Sequence, residues 1–258
     1  MTRAWKEKLA SIPSLLEKKE FRHGARAVSA SSIGTQYFCE MKLDQSYIHG
    51  EVETEEKSEG DVLHEELLAM EPTTQKTLLG DIEKRRLVVA SFPLAAEAEG
   101  MILIGVPDAV IFQKGKPTHV VELKTTRGDA SILYDGQRAQ ATIYGLLLDQ
   151  VGFDCTDLNL VVVKFSRQTM ITEQQKSQFL NALTGALISK KSLSTLASKA
   201  DGNVVPHTFP YRKDEALGIL NLTRGYWLNQ REARPTTNPN KCRACEFRSI
   251  CPSSLAKD

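Results

Sequence analysis

The sequence predicts an α/β fold, and two patterns carry that reading. Three β-rich runs, Arg86 to Phe92, Met101 to Phe112 and Thr118 to Lys124, follow one another closely, the last two across a Lys114-Gly115-Lys116 turn. Short polar connections of this kind join antiparallel neighbours, so the runs read as a three-stranded meander. A helix with a continuous apolar side, Gly136 to Leu148, then leads to a strand rich in Leu and Val, Leu158 to Phe165. That order gives an αβ crossover onto a buried strand. With 258 residues the chain can bury a sizeable core, and it reads as one core with insertions. Its 41% hydrophobic and 25% charged residues exclude a largely disordered chain.

The elements follow in order. Trp5, Leu9, Ile12, Leu15 and Leu16 have roughly helical spacing, interrupted by Pro13, and predict a short helix in a peripheral arm. A Ser-rich entry from Ser29 leads into a helix over Thr35 to Tyr47 that carries Cys39. After a charged loop, Glu59 to Met70 reads as a helix on which Gly60 and His64, four residues apart, share a face. The acidic, Ala-rich stretch between the first two β runs is expected to be only their connection. Beyond the crossover, Thr172 and Gln175 make a capping-box start for a helix with Phe179, Leu183, Leu187 and Ile188 on one face. A last helix covers Glu215 to Gln230, and the tail holds three cysteines.

The 33 basic and 32 acidic residues nearly cancel, so a polyanion would have to be held by a local basic patch. The first 26 residues are charged and lack the apolar core of a secretion signal, and no run approaches the roughly 18 apolar residues of a membrane span. The expectation is a cytoplasmic protein without membrane contact, nuclear or organellar in a eukaryotic cell. In such a reducing compartment five cysteines point to metal ligation or free thiols over disulfides.

Counting outward from Gly115, Asp108 and Glu122 are each seven residues away and fall opposite one another. Opposed residues of an antiparallel pair have Cβ atoms about 4.5–5.5 Å apart, close enough for two carboxylates to share one divalent cation. Lys124 projects from the same face as Glu122. A bulge at the turn would shift this register by one. The neighbours Ile102, Leu103, Ile104, Val106, Val110, Ile111, Val120, Val121 and Leu123 are apolar, so the charges interrupt strands expected to be buried. Opposed like charges there call for a cation or other partner between them; the alternative is that Asp108 and Glu122 lie on a solvated face, the usual place of strand carboxylates.

The tail reads Cys242-x2-Cys245-x5-Cys251-Pro252, and Cys39 and Cys155 are the remaining cysteines. Three clustered thiolates suit either zinc or an iron–sulfur cluster, and both need a fourth ligand. Zinc ribbons usually supply two Cys-x2-Cys knuckles, and this chain has one. Cys155, between Asp154 and Thr156 before a core strand, reads as a structural or free thiol.

Gly105-Val106-Pro107-Asp108 followed by Val121-Glu122-Leu123-Lys124 resembles the Asp and Glu-x-Lys core of the PD-(D/E)XK nucleases. Gly60-Asp61-Val62-Leu63-His64 and Gln140-Ala141-Thr142-Ile143-Tyr144 resemble two further motifs of the RecB-like branch, in the same order along the chain. The staggered cysteine triplet ending in Cys-Pro is similar to that of exonuclease V, the CRISPR-associated RecB-like exonucleases and the nuclease part of a eukaryotic replication helicase-nuclease. In that pattern the distant fourth ligand precedes the Gly-to-His motif, which selects Cys39.

The resemblance implies a restriction-endonuclease-like core, a central mixed sheet flanked by helices. It further implies a [4Fe–4S] module, with residues 29–50 and 232–258 brought together, residues 1–28 as an arm, and 29–258 as a single nuclease domain. Asp108, Glu122, the carbonyl of Leu123 and His64 would hold Mg2+ or Mn2+. Lys124 would activate water, and Gln140 and Tyr144 would position the strand or Lys124. The implied activity is that of a deoxyribonuclease, an exonuclease on single-stranded DNA, in repair or recombination or in CRISPR spacer acquisition. A separate helicase or CRISPR adaptation proteins would be its partners, because the chain has no Gly-rich Lys-Ser/Thr phosphate loop. Candidate strand contacts are Arg127, Arg138, Lys164, Arg167, Lys241, Arg243 and Arg248, with Tyr37, Phe38 or Trp227 as stacking surfaces. Two rivals stand beside this reading: a non-catalytic, cluster-stabilised DNA-binding or scaffolding subunit, and a zinc-stabilised nuclease without iron.

Overall fold

The computed structural model describes residues 8, 19–50, 75–126, 128–166, 182–189 and 204–256. The expected opening helix, the helix bearing Gly60 and His64, the capping box at Thr172, Arg127 and Arg167 lie outside the described residues, Lys8 apart.

The elements in chain order are β1 (Val28–Ser29), α1 (Ala30–Phe38), α2 (Glu40–His49), α3 (Gln75–Lys84), β2 (Leu87–Ala90), β3 (Leu94–Ala98), β4 (Met101–Gly105) and β5 (Ala109–Gln113). They continue with β6 (Lys116–Thr126), α4 (Asp135–Val151), β7 (Asn159–Ser166), β8 (Val204–Pro210), α5 (Lys213–Trp227) and α6 (Pro239–Arg243). Two sheets form, one in the order β1-β4-β3 and one in the order β2-β5-β6-β7-β8. The larger is mixed, since β6 and β7 run parallel across the α4 crossover while its other pairs are antiparallel. This is an α/β fold of mixed sheets flanked by helices.

The expected strand Met101 to Phe112 is two strands in different sheets. Pro107 cannot donate to a ladder, and Val106 beside it is 52% exposed, so pairing stops and resumes in the second sheet. The Ala-rich stretch taken for a connection is itself β3, paired with β4 from Leu94–Gly105 to Ala98–Met101. Four of its five side chains are buried, so its small residues let the neighbouring layer come close. The helix expected over Thr35 to Tyr47 breaks at Cys39, whose φ of −173° and ψ of 128° end α1 and begin α2.

α4 is the central element, touching β3, β4, β6, β7, α1 and α5. It crosses α1 where Gly34 meets Gly136: a Cβ on Gly136 would sit within 2.4 Å of the Gly34 carbonyl oxygen, so neither helix accepts a side chain there. One face of the larger sheet, with Val110, Phe112, Val120, Leu160 and Val162, belongs to the core that includes α4. The other face, with Ile111, Val121, Leu123, Val161 and Val163, packs on Leu183 and Leu187. Alternation along each strand fixes this division, so even-numbered residues of β5, and of β6 from Val120 onward, point toward α4.

A buried acidic pair as candidate metal centre

The β5–β6 ladder pairs Ala109 with Val121, Val110 with Val120 and Ile111 with His119, which brings Asp108 opposite Glu122 at its open end. The register arises from two compensating features. Lys114 and Gly115 both have positive φ, 49° and 80°, and form a two-residue turn whose centre lies half a residue before Gly115. A bulge between Ile111 and Phe112 then adds Thr118 on the other strand, whose hydroxyl donates to the Ile111 carbonyl at 3.1 Å. The two shifts restore the pairing that a symmetrical turn about Gly115 would give.

Both carboxylates are buried, Asp108 at 1% and Glu122 at 2% exposure. Asp108 Oδ2 accepts the backbone N–H of Leu123 at 2.5 Å. Glu122 Oε1 accepts from Gln140 Nε2 at 2.7 Å and lies 2.8 Å from Lys124 Nζ. Gln140 Nε2 also reaches the Tyr144 hydroxyl at 2.9 Å. Five residues, one immediately before β5, two on β6 and two on α4, therefore meet in one cluster, and Gln140 and Tyr144 reach it because they lie four apart on one face of α4. Gly105 makes room for the ring, since a Cβ there would stand 2.5 Å from Tyr144 Cε1.

The electrostatics follow from this crowding. Desolvation lowers the Lys124 ammonium, but the charge and hydrogen bond of Glu122 and the charge of Asp108 outweigh it and hold its pKa above the ordinary lysine value. Burial, reinforced by Glu122 and Asp108, pushes the Tyr144 phenol far above its usual range, so it stays protonated.

The donor set fits a hard divalent cation. Two carboxylates face one another, and the Leu123 carbonyl lies on the same side of β6 as the N–H that Asp108 accepts, because an extended residue sends both groups the same way. Among the described residues no group of three or more His, Cys, Asp or Glu side chains is placed to hold a metal ion. His64, the expected nitrogen donor, lies outside them.

Cys39, Cys242, Cys245 and Cys251 line a single cavity with Phe38, Lys42, Lys241 and Phe247. The extended Cys39 accepts the Thr236 N–H on its sulfur at 3.3 Å. Glu40 next to it is gripped by both terminal nitrogens of Arg231 at 2.5 Å and by the Arg234 N–H at 2.7 Å. These bonds tie the start of α2 to the segment leading into the cysteine tail. Burial raises the Cys245 thiol above its ordinary pKa despite the nearby Phe247 N–H and Lys42. Cys155 lies apart in the main core, its thiol pushed up to about 12 by burial and by Asp149 and Asp154, as befits an inert structural thiol.

Two of the expected strand contacts are corrected. Lys164 is fully buried, its ammonium donating to the Ile132 carbonyl at 2.5 Å, so no phosphate reaches it. Trp227 is also fully buried and donates to Gln36 Oε1 at 2.9 Å, which removes it as a stacking surface. Both sit on elements packed across the centre of the fold, where a long side chain is enclosed on all sides. Arg138 is engaged by Glu215 in a two-point pair and covers the Phe209 ring. Arg243 and Arg248 are exposed, and Arg248 is among the residues that line the cysteine cavity. Lys42 and Lys241 both approach the Phe38 ring, at 5.1 and 5.6 Å from its centre; Lys241 was among the expected strand contacts and Lys42, three residues beyond Cys39, was not.

A search among curated proteins finds no match. The solved structure titled "Crystal structure of SSO0001" is similar at 17% identity and a TM-score of 0.49, over 98% of this chain and 96% of that one. No helix among the described residues is long and apolar enough to cross a membrane. The family model of the PD-(D/E)XK nuclease superfamily, hydrolytic nucleases that typically use Mg2+ or Mn2+, matches residues 27–252. The chain, with its opposed Asp108 and Glu122 and neighbouring Lys124, belongs to the PD-(D/E)XK nuclease superfamily.

Proposed function

We propose that the chain is a metal-dependent deoxyribonuclease, acting as an exonuclease on single-stranded DNA and stabilised by a [4Fe–4S] cluster. The observation that carries the activity is the meeting of two buried carboxylates with the Lys124 ammonium, 2.8 Å from Glu122. Asp108, Glu122 and the Leu123 carbonyl would hold Mg2+ or Mn2+, with His64 as the nitrogen donor that the sequence motif supplies; such a ligand favours Mn2+. The ion, when bound, lowers the pKa of a water and offsets charge on the phosphate oxygens.

The chain's own residues do the rest. Gln140 fixes the Glu122 carboxylate by the hydrogen bond to Oε1, and the Tyr144 hydroxyl beside Gln140 holds that amide in place. Lys124, with its ammonium at the rim of the acidic pair, would orient the attacking water; it would serve as the base only as the neutral amine, after giving its own proton to solvent, and would then take up the water's proton. The flanking apolar side chains exclude bulk water, which strengthens these interactions.

Cys39, Cys242, Cys245 and Cys251 would ligate the cluster. Their support is the cavity that all four line and the spacing of the cysteine triplet; the thiols do not form a ligand group in this structure and would have to converge on the cluster. Closing the long loop from Cys39 to the tail would stabilise the docking of residues 29–50 on 232–258. By its motifs the enzyme belongs to repair or recombination, or to CRISPR spacer acquisition, with a separate helicase or adaptation proteins.

The test is a time course on end-labelled single-stranded and duplex DNA with Mn2+, Mg2+ or EDTA, using anaerobically purified protein, Asp108→Ala and Lys124→Ala. The reading predicts metal-dependent shortening from one end, lost in both variants. Binding without cutting under every metal would replace it with the scaffold reading.

A further inference from the structure

Among the described residues Lys164 is the most buried cation, and its place in the register says what it does. It pairs with Lys124 across β6 and β7, so both project from the α4 face on strands about 5 Å apart. Its Nζ donates to the Ile132 carbonyl at 2.5 Å and the Asp129 carbonyl at 3.4 Å. On the same face His207 of β8, paired with Val162, donates from Nε2 to the Ala130 carbonyl at 2.9 Å. Two side chains of the sheet thus hold the backbone of the connection between β6 and α4 directly beside the catalytic lysine. Burying an ammonium is costly, and here the cost is offset by the hydrogen bonds it donates to two backbone carbonyls of this connection.

The ordered connection carries Tyr134. The Lys164 ammonium lies 4.4 Å from the centre of its ring and covers one face. Its hydroxyl edge lies against Gly128, where an added Cβ would come within 3.2 Å. The residue is nevertheless 48% exposed, as is Ile132 beside it. An aromatic ring fixed on one face and one edge, but open on the other, loses little conformational freedom when a second flat group stacks on it. Stacked nucleobases are such groups, and every base has a face to offer.

We infer that Tyr134 is a stacking platform for an unpaired nucleobase next to the scissile phosphate, with Lys164 as the residue that positions it. The inference rests on the nuclease reading for the identity of its ligand. It is tested with the full chain in EDTA, where no cutting occurs, by fluorescence anisotropy of a labelled oligothymidylate. Tyr134→Ala weakens binding about tenfold, and Tyr134→Phe stays within about twofold of the parent. A single abasic site walked along the oligonucleotide finds one position at which parent and Tyr134→Ala bind alike. Lys164→Met lowers affinity too, and adds little in the Tyr134→Ala background. Equal binding by Tyr134→Ala and the parent at every position, or a loss that phenylalanine does not restore, overturns the inference. The two readings fail separately: metal-dependent cutting with Tyr134→Ala binding normally removes only the platform, whereas Tyr134-dependent binding without cutting removes only the nuclease.

Discussion

Asp108 Oδ2 accepts the Leu123 N–H at 2.5 Å, one residue beyond the carboxylate it opposes. The bond caps the end of the β5–β6 ladder and holds two like charges together in a buried place. An amide at position 108 keeps an acceptor for Leu123 and removes one charge. Asp108→Asn is therefore expected to make the metal-free protein as stable as the parent or more so, by up to about 1 kcal/mol, a rise of roughly 2–4 °C. Thermal unfolding in EDTA checks this, and a marked loss of stability would mean that the repulsion is already compensated.

Gly105 and Tyr144 make a second prediction. The 2.5 Å approach of a Cβ at 105 to the ring forces either β4 or Tyr144 to move. Gly105→Ala should cost about 1–3 kcal/mol by overpacking and reduce cleavage by displacing the hydroxyl that supports Gln140. Chemical denaturation and single-turnover rates measure the two effects, and unchanged values for both would show that the ring is not confined.

Glu40 ties the cysteine-bearing segments together and has a defined pH signature. Desolvation raises its pKa, but hydrogen bonds from Arg231, Gln36 and the Arg234 N–H outweigh it, so the folded value lies below the ordinary glutamate range. A depressed carboxylate contributes stability that is fully present above the unfolded pKa and is lost as pH falls through the folded one. Stability should thus decline on acidification below about pH 4.5, and this limb should flatten in Glu40→Gln. Glu40→Ala, which strands Arg231, should cost about 3 kcal/mol at neutral pH. Unfolding midpoints of the three proteins from neutral to acid pH decide the matter.

The cysteine cavity predicts brown, iron-containing protein when purified without oxygen. Cys251→Ser should carry less iron and be less soluble, and it should lose DNA affinity before it loses the hairpin's metal binding. Iron and zinc analysis with visible absorption tests this. Full iron loading of the variant would remove Cys251 from the ligand set, and stoichiometric zinc would replace the cluster.

Much of this site was legible in the sequence because its parts are local. Gln140 and Tyr144 share a helix face by spacing alone, and the Asp108–Glu122 pairing follows from counting about a turn. That count succeeded through compensation: the turn is centred between Lys114 and Gly115, and the bulge at Thr118 restores the difference. Bulges depend on strand twist and hydroxyl contacts, which periodicity does not encode. The split at Pro107 was written in a residue that cannot join a ladder, but an unbroken apolar run concealed it. Lys164 and Trp227 were misjudged because residue type says little about burial once a crossover encloses the position. The break at Cys39 has no local sequence signal, since the Thr236 N–H on its sulfur comes from the far end of the chain.

The central claim is that Asp108 and Glu122 form one divalent metal centre, and Mn2+ titration followed by electron paramagnetic resonance tests it most directly. The parent chain is expected to bind Mn2+ at a site that Mg2+ displaces, and Asp108→Asn and Glu122→Gln are each expected to lose it while remaining folded. Retention of the parent's Mn2+ affinity by both folded variants would place the metal elsewhere and contradict the account.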